Sequence, residues 1–315
     1  MRKSIFIIQV LICVVCFSNC SKTEKKKFYK EVYGQTPPGN IPEIFEPRFD
    51  FIKNGNPEEF DFSPDFKEFI YTIRDTSVNK QIIYYTKNNN GTWINPEIAY
   101  FVPDSGIGYN PKFSPDGKYI SYSSKGDLWS ATKDGENWTI AEKITEPVST
   151  DKYECTVCIS KNGNIYFAAN GRPDGKSDQC DIYCTRFNGM KLDSARNLGN
   201  LNTPRSECSV SVSPNENYIV FTRYFNKQGR NATDLYISFH NNDGNWTIAQ
   251  DLGPFFNCTG TNFSPRFTND GKYFFFKQGV WNDKLEKYEL KQYWVSTNFL
   301  DNMRDFVFDS NNMVE

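Results

Sequence analysis

The residues of this chain that could do chemistry are few: one histidine, nine cysteines and a small set of recurring acids and bases. His240 lies in His240-Asn-Asn-Asp-Gly244, which reads as a polar turn, so its imidazole is expected to be solvated rather than a catalytic base. A single histidine removes most histidine-based metal sites and triads. Cys155-Thr-Val-Cys158 has metal-like spacing, but no second such pair and no histidine stands near it, so no metal and no cofactor are expected. Cys180 and Cys184 fall on one probable strand, roughly 13 Å apart, which is too far to pair with each other. Glu154 and Glu207 are the best carboxylate pair for glycoside hydrolysis, which needs two acids about 5–10 Å apart across a cleft. They also hold equivalent positions in a repeat, and repetition explains them without chemistry. No catalytic residue is assigned.

The elements that must position these residues are legible as an internal repeat of about 50 residues. Five segments carry an apolar run, a turn and a second apolar run. They are Phe60-Asp61-Phe62-Ser63-Pro64-Asp65, Pro111 to Lys118, Val157 to Gly163, Val210 to Asn215 and Pro265 to Lys272. Proline presets φ, Asp or Asn closes the turn locally and glycine accepts positive φ, so each segment predicts a tight hairpin. A third strand follows, as in Asp181-Ile182-Tyr183 and Asp234-Leu235-Tyr236. A fourth is expected at Gly91-Thr92-Trp93, Asn137-Trp138-Thr139-Ile140, Gly189 to Leu192 and Asn245-Trp246-Thr247-Ile248. Four antiparallel strands per unit make a propeller blade. Composition agrees: 16% of residues are aromatic while the mean hydropathy is -0.63, as in many short strands with aromatic inner faces and polar turns. The net charge of -2, with signs interspersed, leaves no footprint for nucleic acid.

The fold class expected is therefore all-β, a propeller of four-stranded antiparallel blades. Five blades are preferred. A sixth would have to come from Glu46 to Asn56 plus the C-terminal tail, which is short for the purpose. The fifth repeat ends after its third strand near Val295, and the segment Ile41 to Phe45 has no hairpin of its own. It is expected to supply the missing outer strand of the last blade, a clasp that protects both edges.

Antiparallel pairing puts the start of strand one and the end of strand two on one face of the disc. That face collects Glu59, Asn110, Glu154, Glu207 and Asn262 from the first position, and Arg74, Lys125, Arg172, Arg223 and Lys277 from the second. The expectation is a ring of cations around a polar mouth that binds an extended polar ligand, an anionic glycan or a peptide segment, because arginine forks suit carboxylates. The opposing expectation is that Glu154 and Glu207 merely pair with Arg172 and Arg223. Trp93, Trp138 and Trp246 recur at one point of the fourth strand and read as blade packing.

The Ser-Pro-Asp-Gly-Lys cores and the later Asp-Ile-Tyr resemble the PD40 family of WD40-like, TolB-type propellers, over about residues 36 to 297. Gly34-Gln35-Thr36-Pro37-Pro38-Gly39, Pro42-Glu43-Ile44-Phe45 and Tyr293-Trp294-Val295 also resemble an exported subgroup found in Bacteroidota. The resemblance implies a fold and leaves function open, since propellers host many activities. Arg2 and Lys3, followed by an apolar run to Phe17 and then Cys20, read as an export signal that resembles a lipoprotein signal, with Cys20 as the lipidated residue. The expected organisation is a signal at 1–19, a polar tether at 20–35, the propeller at 36–300 and a tail at 301–315. Cys155, Cys158, Cys180, Cys184, Cys208 and Cys258 then remain, and six cysteines allow 15 pairings among which the sequence does not choose. The function expected is a non-enzymatic ligand- or protein-binding scaffold. It is lipid-anchored in the cell envelope facing the periplasm or the cell surface, with an envelope protein, peptide or glycan as partner. The alternative is a carbohydrate-active hydrolase or lyase of the propeller type.

Overall fold

The repeated turn builds the repeated hairpin through one hydroxyl. In the second repeat Ser114 Oγ donates to Asp116 Oδ1 at 2.6 Å and accepts the Tyr119 amide at 2.9 Å. Thr268 does the same with Asp270 and Tyr273, at 2.7 and 3.1 Å. The turn needs one left-handed residue, and glycine supplies it at Gly117, Gly163 and Gly271, with φ of 71°, 81° and 71°. Phe66 and Glu216 hold the same place at φ of 60° and 59°, where a side chain costs about 1–2 kcal/mol.

The computed structural model describes residues 35–312 apart from 47–48, 53–56, 78, 177–178, 187–190, 228, 242 and 258–259. The export signal, Cys20 and nearly all of the tether lie outside the described residues, as does Cys258. Five antiparallel blades follow in chain order. Blade one holds β2 (Glu59–Phe62), β3 (Glu68–Asp75), β4 (Lys80–Asn89), β5 (Thr92–Trp93) and β6 (Glu97–Ile98). Blade two holds β7 (Tyr109–Phe113), β8 (Tyr119–Ser124), β9 (Asp127–Asp134), β10 (Asn137–Trp138) and β11 (Glu142–Lys143). Blade three holds β12 (Glu154–Ile159), β13 (Ile165–Asn170), β14 (Cys180–Thr185) and β15 (Arg196–Asn197). Blade four holds β16 (Glu207–Val212), β17 (Tyr218–Lys227), β18 (Arg230–Phe239) and β19 (Gln250–Asp251). Blade five holds β20 (Thr261–Phe267), β21 (Tyr273–Asn282) and β22 (Lys287–Ser296), with β1 (Glu43–Ile44) as its outer strand.

The N-terminal clasp is borne out. Glu43 pairs with Trp294 and Ile44 with Tyr293, and the Phe45 amide donates to the Gln292 carbonyl at 2.8 Å. Phe45 then packs on Phe60, Phe275 and Trp294, so the clasp strand also cements blade five to blade one. The ring closes further through Asn269, whose Nδ2 donates to the Phe62 carbonyl at 2.7 Å.

Two details differ from the sequence reading. The outer strands come in short pieces, and the pairs nearest the blade centre lie beyond the tryptophans, at Glu97–Ile98, Glu142–Lys143 and Gln250–Asp251. Trp138 and Trp246 are buried in the packing between blades. Residues 301–312 continue a helix, α1 (Asn298–Asn312), whose Leu300 and Met303 pack on the core of blades four and five.

Candidate functional site

The first strands of blades two to five carry a β-bulge, with Asn110, Thr156, Ser209 and Ser264 left-handed at φ of 55°, 47°, 48° and 52°. A bulge inserts one residue and re-aims what precedes it. Blade one has none, since β2 pairs with β3 without a shift. Counting back from the turn therefore misaligns blade one by a residue. The structural counterpart of Glu154 and Glu207 is Glu58, not Glu59, and Asn110 is the bulge itself. Glu59 instead reaches the next blade and accepts the Asn110 amide at 2.6 Å.

Blades three and four build the same clamp. Arg172 Nη2 lies 3.2 Å from Glu154 Oε1, and Arg223 Nε lies 2.7 Å from Glu207 Oε1. The arginine side chains are 9% and 10% exposed, and both glutamates are 0% exposed. Each acid also accepts the amide and the hydroxyl of the threonine four residues earlier, Thr150 or Thr203, the hydroxyls at 2.6 Å. Each guanidinium donates to a loop carbonyl, Pro147 at 3.1 Å or Leu201 at 2.8 Å, and lies over the tyrosine of the third strand, Tyr183 or Tyr236. Burial raises the Glu207 pKa, although Thr203 and Arg223 pull it down. The sequence carried this signal as a threonine four residues before each glutamate.

The other basic residues differ from one another. Arg74 forks onto Glu58 at 2.9 and 3.3 Å and is 45% exposed. Lys125 meets Asp104 at 2.6 Å and is 59% exposed. Lys277 is one residue out of step, because Gln278 is the residue opposite Asn262. Alternation along the strand turns Lys277 into the seam between blades five and one, where it donates to the Glu58 carbonyl and burial lowers its pKa. Asn262 is buried and donates to Asp234 at 2.9 Å. The five cations thus sort into two buried clamps, one seam lysine and two exposed ion pairs, and they do not form a uniform ring.

Two features escaped the sequence reading. The first is the central axis, where the residue two before each turn hydroxyl is Asp61, Lys112, Cys158, Ser211 or Arg266. These side chains line a cavity of only about 20 Å³, room for about one water. Asp61 accepts the Phe62 and Phe113 amides at 3.0 and 2.9 Å. Burial pushes its pKa up to about 6, against the pull of Arg266 and Lys112. Polar residues in the middle of otherwise apolar strands were the available signal. The second is a cluster of Cys155, Cys180 and Cys208, whose sulfurs all lie within 4.8 Å of one another. No metal set was expected from spacing, and only the packing of blade three on blade four joins these residues. Cys155, Cys158, Cys180, Cys184 and Cys208 are all free thiols.

A groove of about 530 Å³ opens at the seam of blades one and five, on the face expected to hold the site. Phe45, Phe49 and Phe60 contribute its apolar wall, and Glu58, Lys277 and Lys291 its polar groups. No helix among the described residues is long and apolar enough to cross a membrane.

No protein-family profile matches the chain, and no curated protein matches it. Solved structures are similar to it in fold. A protein assigned as TolB from Agrobacterium tumefaciens is 17% identical, covering 78% of this chain and 77% of that one, with a TM-score of 0.44. A periplasmic gluconolactonase from Pseudomonas aeruginosa is 10% identical, covering 76% and 72%, with a TM-score of 0.44. The catalytic domain of a Coprinopsis cinerea GH62 α-L-arabinofuranosidase is 11% identical, covering 78% and 94%, with a TM-score of 0.46. At these values no activity is carried over from them; the strand pairing by itself makes the chain a five-bladed, N-terminally clasped β-propeller.

Proposed function

We propose that this propeller is a PD40-type binding module of the cell envelope, tethered by lipid on Cys20, that grips an extended anionic chain on one face. The single observation that carries the reading is the seam groove. It combines an apolar wall of aromatic rings with the cations Lys277 and Lys291, on the face where strand one begins and strand two ends. Such a mix of shape and few placed polar groups suits a ligand site. Two further facts support a binder over a hydrolase. Glu154 and Glu207 are each committed to a threonine and an arginine, and the central axis is filled by side chains. The ligand is a peptide segment or glycan bearing carboxylates.

The test is binding of the full chain to peptide and acidic-glycan arrays, with a Lys277→Ala/Lys291→Ala double variant beside it. Lys118→Ala, in the turn on the opposite face, is the control. The double variant is expected to lose roughly tenfold in affinity, about 1.4 kcal/mol, for the retained ligand. Equal binding by all three proteins overturns the reading. A Cys20→Ser chain should leave the membrane fraction.

A further inference from the structure

Three thiols from two blades meet on the same face as the groove but at the junction of blades three and four. Cys155 enters from β12, Cys180 from the first residue of β14 and Cys208 from β16. Cys155 and Cys208 occupy the same repeat position, each followed at once by the left-handed bulge residue, Thr156 or Ser209. The bulge thus aims both sulfurs from neighbouring blades at the third.

The spacing is that of a ligand set. A metal–sulfur bond of about 2.3 Å puts sulfurs about 3.8 Å apart in a tetrahedron and about 4.0 Å apart in a planar triangle. The Cys155 and Cys180 sulfurs are 3.8 Å apart, and all three lie within 4.8 Å. A disulfide between Cys155 and Cys180 does not fit as well. β13 lies between their strands, which places the backbones roughly 9 Å apart at ordinary strand spacing. A disulfide wants Cα atoms within about 7 Å.

We propose that Cys155, Cys180 and Cys208 hold one soft d10 cation, Cu(I) or Zn(II), on three thiolates. Thiolate sulfur selects such ions over hard ones. Binding forms three metal–sulfur bonds and releases three protons to solvent. Ser206 offers an oxygen as the fourth ligand, its Oγ 3.7 Å from Cys208 Sγ and accepting the Cys180 amide at 3.3 Å. Cys155 and Cys180 are buried while Cys208 is partly exposed, so the ion enters past Cys208. The exposed Tyr153 and Tyr224 lie within electrostatic reach of all three sulfurs.

The experiment uses the full chain, reduced and kept anaerobic. Cu(I) is titrated against a chromogenic chelator and Zn(II) against a competing dye, with Cd(II) as a probe for thiolate charge-transfer absorption. One equivalent of Cu(I) or Zn(II) should bind. The melting temperature should rise with metal. Cys155→Ser, Cys180→Ser and Cys208→Ser should each weaken binding at least roughly 100-fold, while Cys184→Ser retains it. Circular dichroism of the metal-free variants checks folding, and Cys208→His, which keeps a nitrogen ligand at the partly exposed position, should restore binding. No saturable uptake of either ion overturns the proposal, as does binding that the three serine variants share or a disulfide within the trio in chain isolated without reductant.

Discussion

The buried Asp61 makes the stability of the whole ring depend on pH in an unusual direction. Its carboxyl sits on the propeller axis, with a pKa raised by burial from the ordinary 3.8 to about 6. A shift of about 2.2 units corresponds to about 3 kcal/mol at 1.36 kcal/mol per unit. Between these two values the folded chain holds a proton that the unfolded chain has lost. Folding stability therefore rises as pH falls through about 6 and levels off below about 4, the reverse of a salt-bridged carboxylate. Near pH 7.5 the group contributes almost nothing from protonation. By about pH 4.5 roughly 2 kcal/mol of the 3 is recovered. Asp61→Asn removes the titration. It keeps one acceptor for the Phe62 or Phe113 amide and leaves Arg266 and Lys112 facing a neutral group. The assay is urea unfolding of the full chain and the variant, followed by tryptophan fluorescence at several pH values from 7.5 down to about 4.5. The difference in unfolding free energy, parent minus variant, should grow by about 2 kcal/mol as pH falls. Parallel pH profiles for the two proteins would refute the reasoning, because they would mean that Asp61 titrates alike folded and unfolded.

The clamps of blades three and four should be structural in a way that the blade-one pair is not. Arg223→Ala leaves the Glu207 charge buried without its cation, held by Thr203, and should cost about 3–5 kcal/mol, whereas Arg74→Ala, at an exposed pair, should cost under about 1 kcal/mol in the same urea experiment. Trp294→Ala empties the core under the clasp and should cost about 3–5 kcal/mol. Limited proteolysis of that variant should cut first near residues 39–46, once β1 lifts from β22.

The repeat made the blades legible because each turn is chemically self-contained. The hydroxyl, the acid and the left-handed residue lie within a few positions of one another, so Ser114 and Thr268 announce their hairpins wherever the blades end up. The clasp was legible for a related reason, since a fifth repeat missing a strand and an N-terminal segment lacking a hairpin complete each other. Register was not legible. One inserted bulge residue moves every side chain before it, and blade one lacks the bulge, so counting alone puts Glu59 in the place of Glu58 and Lys277 in the row of Arg223. Burial was equally hidden. The sequence names Arg172 and Arg223 as cations, yet only the loops folding over them decide that they hold Glu154, Glu207 and backbone carbonyls. The cysteine trio lies furthest from what a sequence can say. Cys155, Cys180 and Cys208 sit on three strands of two blades, and their meeting depends on the angle at which blade three packs on blade four. What the sequence determined by itself is the local code, five hairpins and a clasp. What the tertiary structure alone decided is which charges are spent inside the ring, where the seam groove opens and which thiols converge, because those follow from long-range packing that no short spacing encodes.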